Sequence, residues 1–110
     1  MNDAVKHDSG KPRFELIPVK SLKSIANVMT YGAKKYGDRN WEKGLEYGRL
    51  YGAAQRHMNS WWSGEDTDLE TGESHLAHAA ACMMMLLETH FRSDIDLDDR
   101  PPTINTNSKF

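Results

Sequence analysis

The stretch ESHLAHAAACMMMLLETHFR, from Glu73 to Arg92, decides the fold. Its helical pattern is apolar nearly all the way round, which marks a central or interface helix rather than one lying on a surface. The small residues Ala77, Ala79, Ala80 and Ala81 allow a second helix to approach closely. Ser74 or Thr71 is placed to cap its first turn.

Working outward, the segment SGEDTDLETGES before this helix breaks the pattern with Gly64 and Gly72 and carries Glu65, Asp66, Asp68, Glu70 and Glu73. It reads as an acidic loop. From about Leu45 to Trp62, Leu50, Ala54, His57 and Trp61 fall on one stripe with Met58 beside it, so a helix is expected there with His57 facing inward. GDRNWEKG, Gly37 to Gly44, has breakers at both ends and reads as a structured loop pinned by Trp41. From Val19, the residues Leu22, Ile25, Ala26, Met29, Ala33 and Tyr36 recur at spacings of three and four, giving a helix that ends near Gly37. Residues 1–18 are polar, carry Pro12 and Pro18, and read as an extended arm. After Ser93 the acidic DIDLDDRPPTINTNSKF reads as an extended or disordered tail.

The expected fold is therefore all-α, a small bundle of about three main helices spanning residues 19–92. Three helices cover an all-round apolar helix only in part, so completion by homo-oligomerisation is expected. At 110 residues there is room for one core. The net charge of −2 and the lack of a lysine/arginine block argue against duplex nucleic acid as a partner. The uncharged run around Ala79 to Leu87 is too short to cross a bilayer, and the N-terminus has no signal-peptide core. A single cysteine, Cys82, excludes an intrachain disulfide, and a cytoplasmic location is the simplest reading.

His75 and His78, three apart on one helix, can reach a common point. With His57 from the preceding helix and a carboxylate from Glu65, Asp68, Glu70 or Glu73 they make a candidate metal cluster. Neutral imidazoles with carboxylates suit zinc, manganese, iron or nickel better than magnesium alone. The same histidines also read as hydrogen-bonded core residues, and the acidic loop as a solvated turn. DTDLETG lacks the glycine and glutamate offsets of a calcium loop. Lys11 and Arg13 in the arm, Lys34, Lys35 and Arg39 near Gly37, and Arg56 supply cations suited to a triphosphate. Lys34 and Lys35 equally suit the negative end of a helix dipole. The GKPR of the arm is not a P-loop. Tyr31, Tyr36, Trp41, Trp61 and Trp62 can stack on a base or fill a core. Cys82 sits in an apolar setting that makes it inert.

The strings DSGKPRFELIP, YGAKKYGDRNWEKG and RHMNSWWSGEDTDLETGESHLAHAA, in that order, resemble the phage and prophage family of dATP/dGTP diphosphohydrolase N-terminal domains, often compared with the all-helical MazG-like nucleotide pyrophosphatases. The similarity runs from about Asp8 to Glu88. It implies hydrolysis of a purine deoxynucleoside triphosphate to monophosphate and pyrophosphate, with magnesium or manganese supporting turnover in the host cytoplasm. Carried to this sequence, it implies phosphate and base contacts by Lys11, Arg13, Lys35, Arg39, Asn40, Trp41 and Arg56, metal ligation by His57, His75 and His78, and catalytic carboxylates among Glu65, Asp68 and Glu70. The ExxE and ExxD metal motifs of MazG-like enzymes are absent, so the ligand set differs. A protein that sequesters a signalling nucleotide without turnover is the alternative.

Overall fold

The computed structural model describes residues 3–92 and 95–102. Three helices make up its body: α1 (Val19–Tyr36), α2 (Tyr47–Trp62) and α3 (His75–Phe91). Single turns of 3-10 helix occur at Phe14–Leu16, Asn40–Lys43 and Ile95–Leu97. There is no strand among the described residues, only an isolated antiparallel bridge between Thr67 and Ser74. The expected all-α bundle is the fold observed.

Each helix ends where its chemistry changes. Pro18 precedes the first turn of α1, and Gly37, at φ 96°, closes it with its N–H donating to the Ala33 carbonyl. Ser74 caps α3, its hydroxyl accepting from the Leu76 N–H. The residue before α2 is Glu46, which makes no side-chain cap. The cap arrives from the tail instead: the Gly48 N–H donates to Asp99 Oδ1 at 2.7 Å. A Cβ on residue 48 would lie 2.8 Å from the other carboxylate oxygen, so glycine is what lets Asp99 approach the positive end of α2. Beside it Arg100 lies over the Tyr47 ring and pairs with Asp98. The tail, read from sequence as extended or disordered, is thus docked at residues 97–100; residues 93, 94 and 103–110 lie outside the described set.

α3 is central, packing against α1 and more extensively against α2. Among the described residues the buried apolar side chains are Tyr47, Leu50 and Ala54 of α2 and Ala77, Ala79 and Ala81 of α3. The alanines bring the backbones together, as their size requires, but they bury little surface. α1 departs from expectation. Its periodic residues include Leu22 and Tyr36, which are exposed, and no α1 residue is fully buried. Periodicity marked the face correctly as apolar, but α1 packs on one edge of α3 and arches over a cavity rather than onto a core. The radius of gyration, 18.1 Å, exceeds the ~13 Å of a compact domain of this length.

Candidate functional site

The acidic loop is a closed turn. The Asp68 N–H donates to the Glu73 carbonyl at 2.8 Å and the His75 N–H to the Asp66 carbonyl at 3.0 Å, so the two limbs of the loop are zipped in front of α3. Gly72, at φ 74°, makes the return, its N–H donating to the Asp68 carbonyl. Within the turn Asp68 Oδ2 accepts from the Glu70 N–H, the Thr71 N–H and the Thr71 hydroxyl. All of these bonds fall on one oxygen, which fixes the carboxylate and leaves Oδ1 for another partner.

Opposite this carboxylate the two helices bring their imidazoles together. His57 Nδ1 and His75 Nδ1 face each other at 2.8 Å, and the His57 ring stacks on His78 with centroids 4.4 Å apart and planes 14° from parallel. His75, buried, has its Nε2 2.7 Å from Glu65 Oε1. An ionised carboxylate only accepts, so His75 carries its proton on Nε2 and presents a lone pair at Nδ1. Two imidazole nitrogens meet this closely only with a proton or a cation between them. In the bare protein His57 Nδ1–H supplies the proton.

The donor set fits a divalent ion. One ligand atom each from His57, Asp68 and His75 lie within 4.8 Å of one another. Two nitrogens held by one metal at right angles stand about 3 Å apart, given bonds of ~2.1 Å. Glu65 on the far nitrogen of His75 is the outer carboxylate that commonly orients a metal-binding imidazole. Burial pushes the His57 pKa below its ordinary value, with His78 and His75 acting in the same direction. Burial also lowers His78, against an opposing pull from Asp68. Both are therefore neutral near pH 7, the form in which imidazole ligates. Burial raises Asp68, but the Thr71 N–H, His78 and the Thr71 hydroxyl outweigh it, and the carboxyl lies below its ordinary range.

His57, Asp68 and His78 open onto a cavity of about 1100 Å³ between the three helices and the loop, slightly above the usual range of ligand-site volumes. Lys35, Arg39, Asn40, Trp41, Arg56 and Glu70 also line it. Arg39 and Arg56 form no ion pair among the described residues. Arg39 is the only non-glycine residue described with positive φ, 54°, and sits just before the turn bearing Asn40 and Trp41. Such backbone is uncommon outside glycine and asparagine and concentrates at functional sites.

Most residues singled out from sequence converge here, with differences in detail. Glu65 lies on His75 rather than on the cavity wall. Glu70 accepts from Tyr31 Oη at 3.0 Å and from Lys35 Nζ at 2.8 Å, which holds its carboxyl below the ordinary range. His78 Nε2 lies 2.6 Å from the Thr71 hydroxyl and 3.8 Å from Asp68 Oδ2, outside the closest donor trio. Lys11 and Arg13 are exposed in the arm, are absent from the cavity wall, and Arg13 pairs with Glu15. Sequence reasoning missed Thr71, which joins Asp68 to His78, and Asn27, whose amide donates to Glu73 at 3.0 Å. The spacing of Asn27, Tyr31 and Lys35 at successive turns of α1 was the signal available, since it places all three on one face. Cys82 is raised by burial, consistent with an inert thiol.

A dATP/dGTP diphosphohydrolase from Salmonella phage PMBT28 is 39% identical over 82 residues, covering 74% of this chain and 28% of that protein. The chain thus spans under a third of the length of that relative. No solved structure matches it. The family model described as dATP/dGTP diphosphohydrolase, N-terminal, matches residues 1–100. The histidine-bearing helices, the acidic turn and the cation-lined cavity all fall within that match, and the chain belongs to the dATP/dGTP diphosphohydrolase N-terminal family.

Proposed function

We propose that this chain hydrolyses a purine deoxynucleoside triphosphate to monophosphate and pyrophosphate, using a divalent metal, in phage nucleotide metabolism within the host cytoplasm. The observation that carries the reading is the facing pair His57 Nδ1 and His75 Nδ1, 2.8 Å apart, beside a carboxylate and on the edge of a cation-lined cavity. Support comes from the family match and from the phage relative's name. Among the described residues no helix is long and apolar enough to cross a membrane.

His57, Asp68 and His75 would hold the ion, which when bound supplies charge neutralisation at the phosphates and a more acidic water. Glu65 keeps His75 in the tautomer with a free Nδ1. His78, neutral and stacked on His57, fixes the plane of that ring and sits beside the phosphate path as a proton carrier. Arg39 and Arg56, without carboxylate partners among the described residues, meet phosphate oxygens in the forked manner that guanidinium favours. Lys35 contributes a point charge already positioned by Glu70. Trp41, half-buried and with the Arg92 guanidinium 5.4 Å from its ring centre, offers an aromatic wall for a base.

The test is to incubate the purified chain with a panel of ribo- and deoxynucleoside triphosphates plus magnesium or manganese and to resolve products by chromatography. Catalytic release of monophosphate and pyrophosphate from a purine substrate is expected. Intact nucleotide recovered in stoichiometric complex would overturn hydrolysis in favour of sequestration.

A further inference from the structure

The side of the α2–α3 hairpin turned away from the histidines is apolar and bare. On α2, Tyr51, Met58 and Trp62 are exposed, Trp62 at 83%. Their spacings of seven and four put them on one stripe, with Gln55 between them. On α3, Leu76, Met83, Met84, Leu87 and Phe91 are likewise exposed and share one face with Ala80. No position on either stripe carries a charge. The stripes join, because Tyr47 and Tyr51 line a groove of about 630 Å³ with Met83 and Leu87. The groove is bounded by the docked tail at Arg100 and Pro101.

We infer that this face is the interface for a second copy of the chain, two α2–α3 hairpins meeting to form a four-helix bundle. A second copy fits this face on four grounds. First, taking about 200 Å² for each of these large side chains, as for aromatic ones, their exposed fractions offer up to about 900 Å² per copy for burial, against the ~800 Å² per partner of a stable interface. Second, the cover must be present whenever the chain is folded. Among the described residues the core contains no large side chain that is fully buried, and a partner that is always available is another copy. Third, α2 and α3 are matched in length, 16 and 17 residues, so two hairpins can face each other without overhang, and the groove offers holes for the partner's knobs. Fourth, the two helical stripes carry none of the lysines and arginines with which an amphipathic helix engages anionic lipid, and Arg100 at the groove's edge is already paired with Asp98. The histidines and the cavity lie on the other side of the hairpin, so each copy keeps its own site open. The inference stands independently of the hydrolase reading.

The full chain, at 10 to 100 µM, is measured by sedimentation equilibrium or by light scattering after size exclusion, as wild type and as Met84→Glu and Trp62→Glu. The expected wild-type mass is twice the 12.5 kDa of the chain, with both variants shifted to monomer. A monomeric wild type, or a dimer whose mass both substitutions leave unchanged, overturns the inference. Where a variant fails to fold, the wild-type melting temperature decides. It rises with chain concentration if the interface is part of the folded state, and a melting temperature that does not change over a tenfold dilution series overturns the proposal.

Discussion

The two sides of the α2–α3 hairpin are built from the same helices and do opposite things. One side gathers His57, His75 and His78 against a zipped acidic turn, with Glu65 on His75, Thr71 on His78 and Asp68 on Thr71. The other side is an apolar stripe on both helices, with charge only where the docked tail brings Asp99 and the Arg100–Asp98 pair to the groove's edge. On the histidine side, specificity of arrangement dominates: Glu65, Thr71 and Asp68 each fix one imidazole or one another. On the outer side only area and shape matter. Substitutions should therefore separate cleanly, those on the first side altering chemistry with little loss of fold, those in and behind the second altering stability and assembly.

The sharpest way to break the comparison is Glu65→Gln. The amide can still approach His75 Nε2 but no longer selects the tautomer, so metal affinity should fall about 10- to 100-fold while the circular dichroism spectrum stays helical. An unchanged affinity by titration calorimetry would mean that Glu65 does not orient the ring. Leu50→Ala should do the reverse. Leu50 is buried between the faces, and its truncation should cost about 2–5 kcal/mol in denaturant unfolding, with metal affinity per folded molecule preserved.

A smaller effect tests the tail. Asp99→Ala removes the side-chain acceptor of the Gly48 N–H at the start of α2 and should cost about 0.5–1 kcal/mol. In a Gly48→Ala background, where the new Cβ already displaces the carboxylate, the same change should cost less. Equal losses in the two backgrounds would show that Asp99 does not cap α2.

The mildest effect is on pH. His57 and His78 have folded pKa values below the ~6.5 of the unfolded chain, so between the two values the unfolded chain binds more protons. The metal-free protein should keep full stability above about pH 6.5 and lose it as pH falls towards the folded values. His57→Gln should flatten that decline, measured as melting temperature against pH, and an equally steep decline in the variant would place the titration elsewhere.

Much of this was legible in the residues. Helix limits followed from Pro18, Gly37 and Ser74, and the convergence of His57 with His75 followed from one inward stripe meeting a helix that is apolar all round. What periodicity shows is which face of a helix is apolar or polar; it does not show what stands opposite. Hence α1 was legible as a helix while its shallow packing was not, and His78, on the same face as His75, gave no hint that Thr71 would meet its Nε2. Glu65 and Asp68 looked equivalent in the acidic loop. The bridge from Thr67 to Ser74 separates them, leaving one beyond the buried ring and the other on the cavity wall. Docking of Asp99 depends on a missing Cβ at Gly48 and a missing cap at Glu46, two local absences more than forty residues away in the chain.

The facing Nδ1 atoms of His57 and His75 would form, with Asp68, one divalent metal site. Native mass spectrometry of the manganese-loaded chain, wild type beside His75→Ala, tests it most directly. One ion per wild-type chain and its loss in the variant, with helicity retained, are expected. A wild type that binds none, or a variant that binds as much, would contradict it.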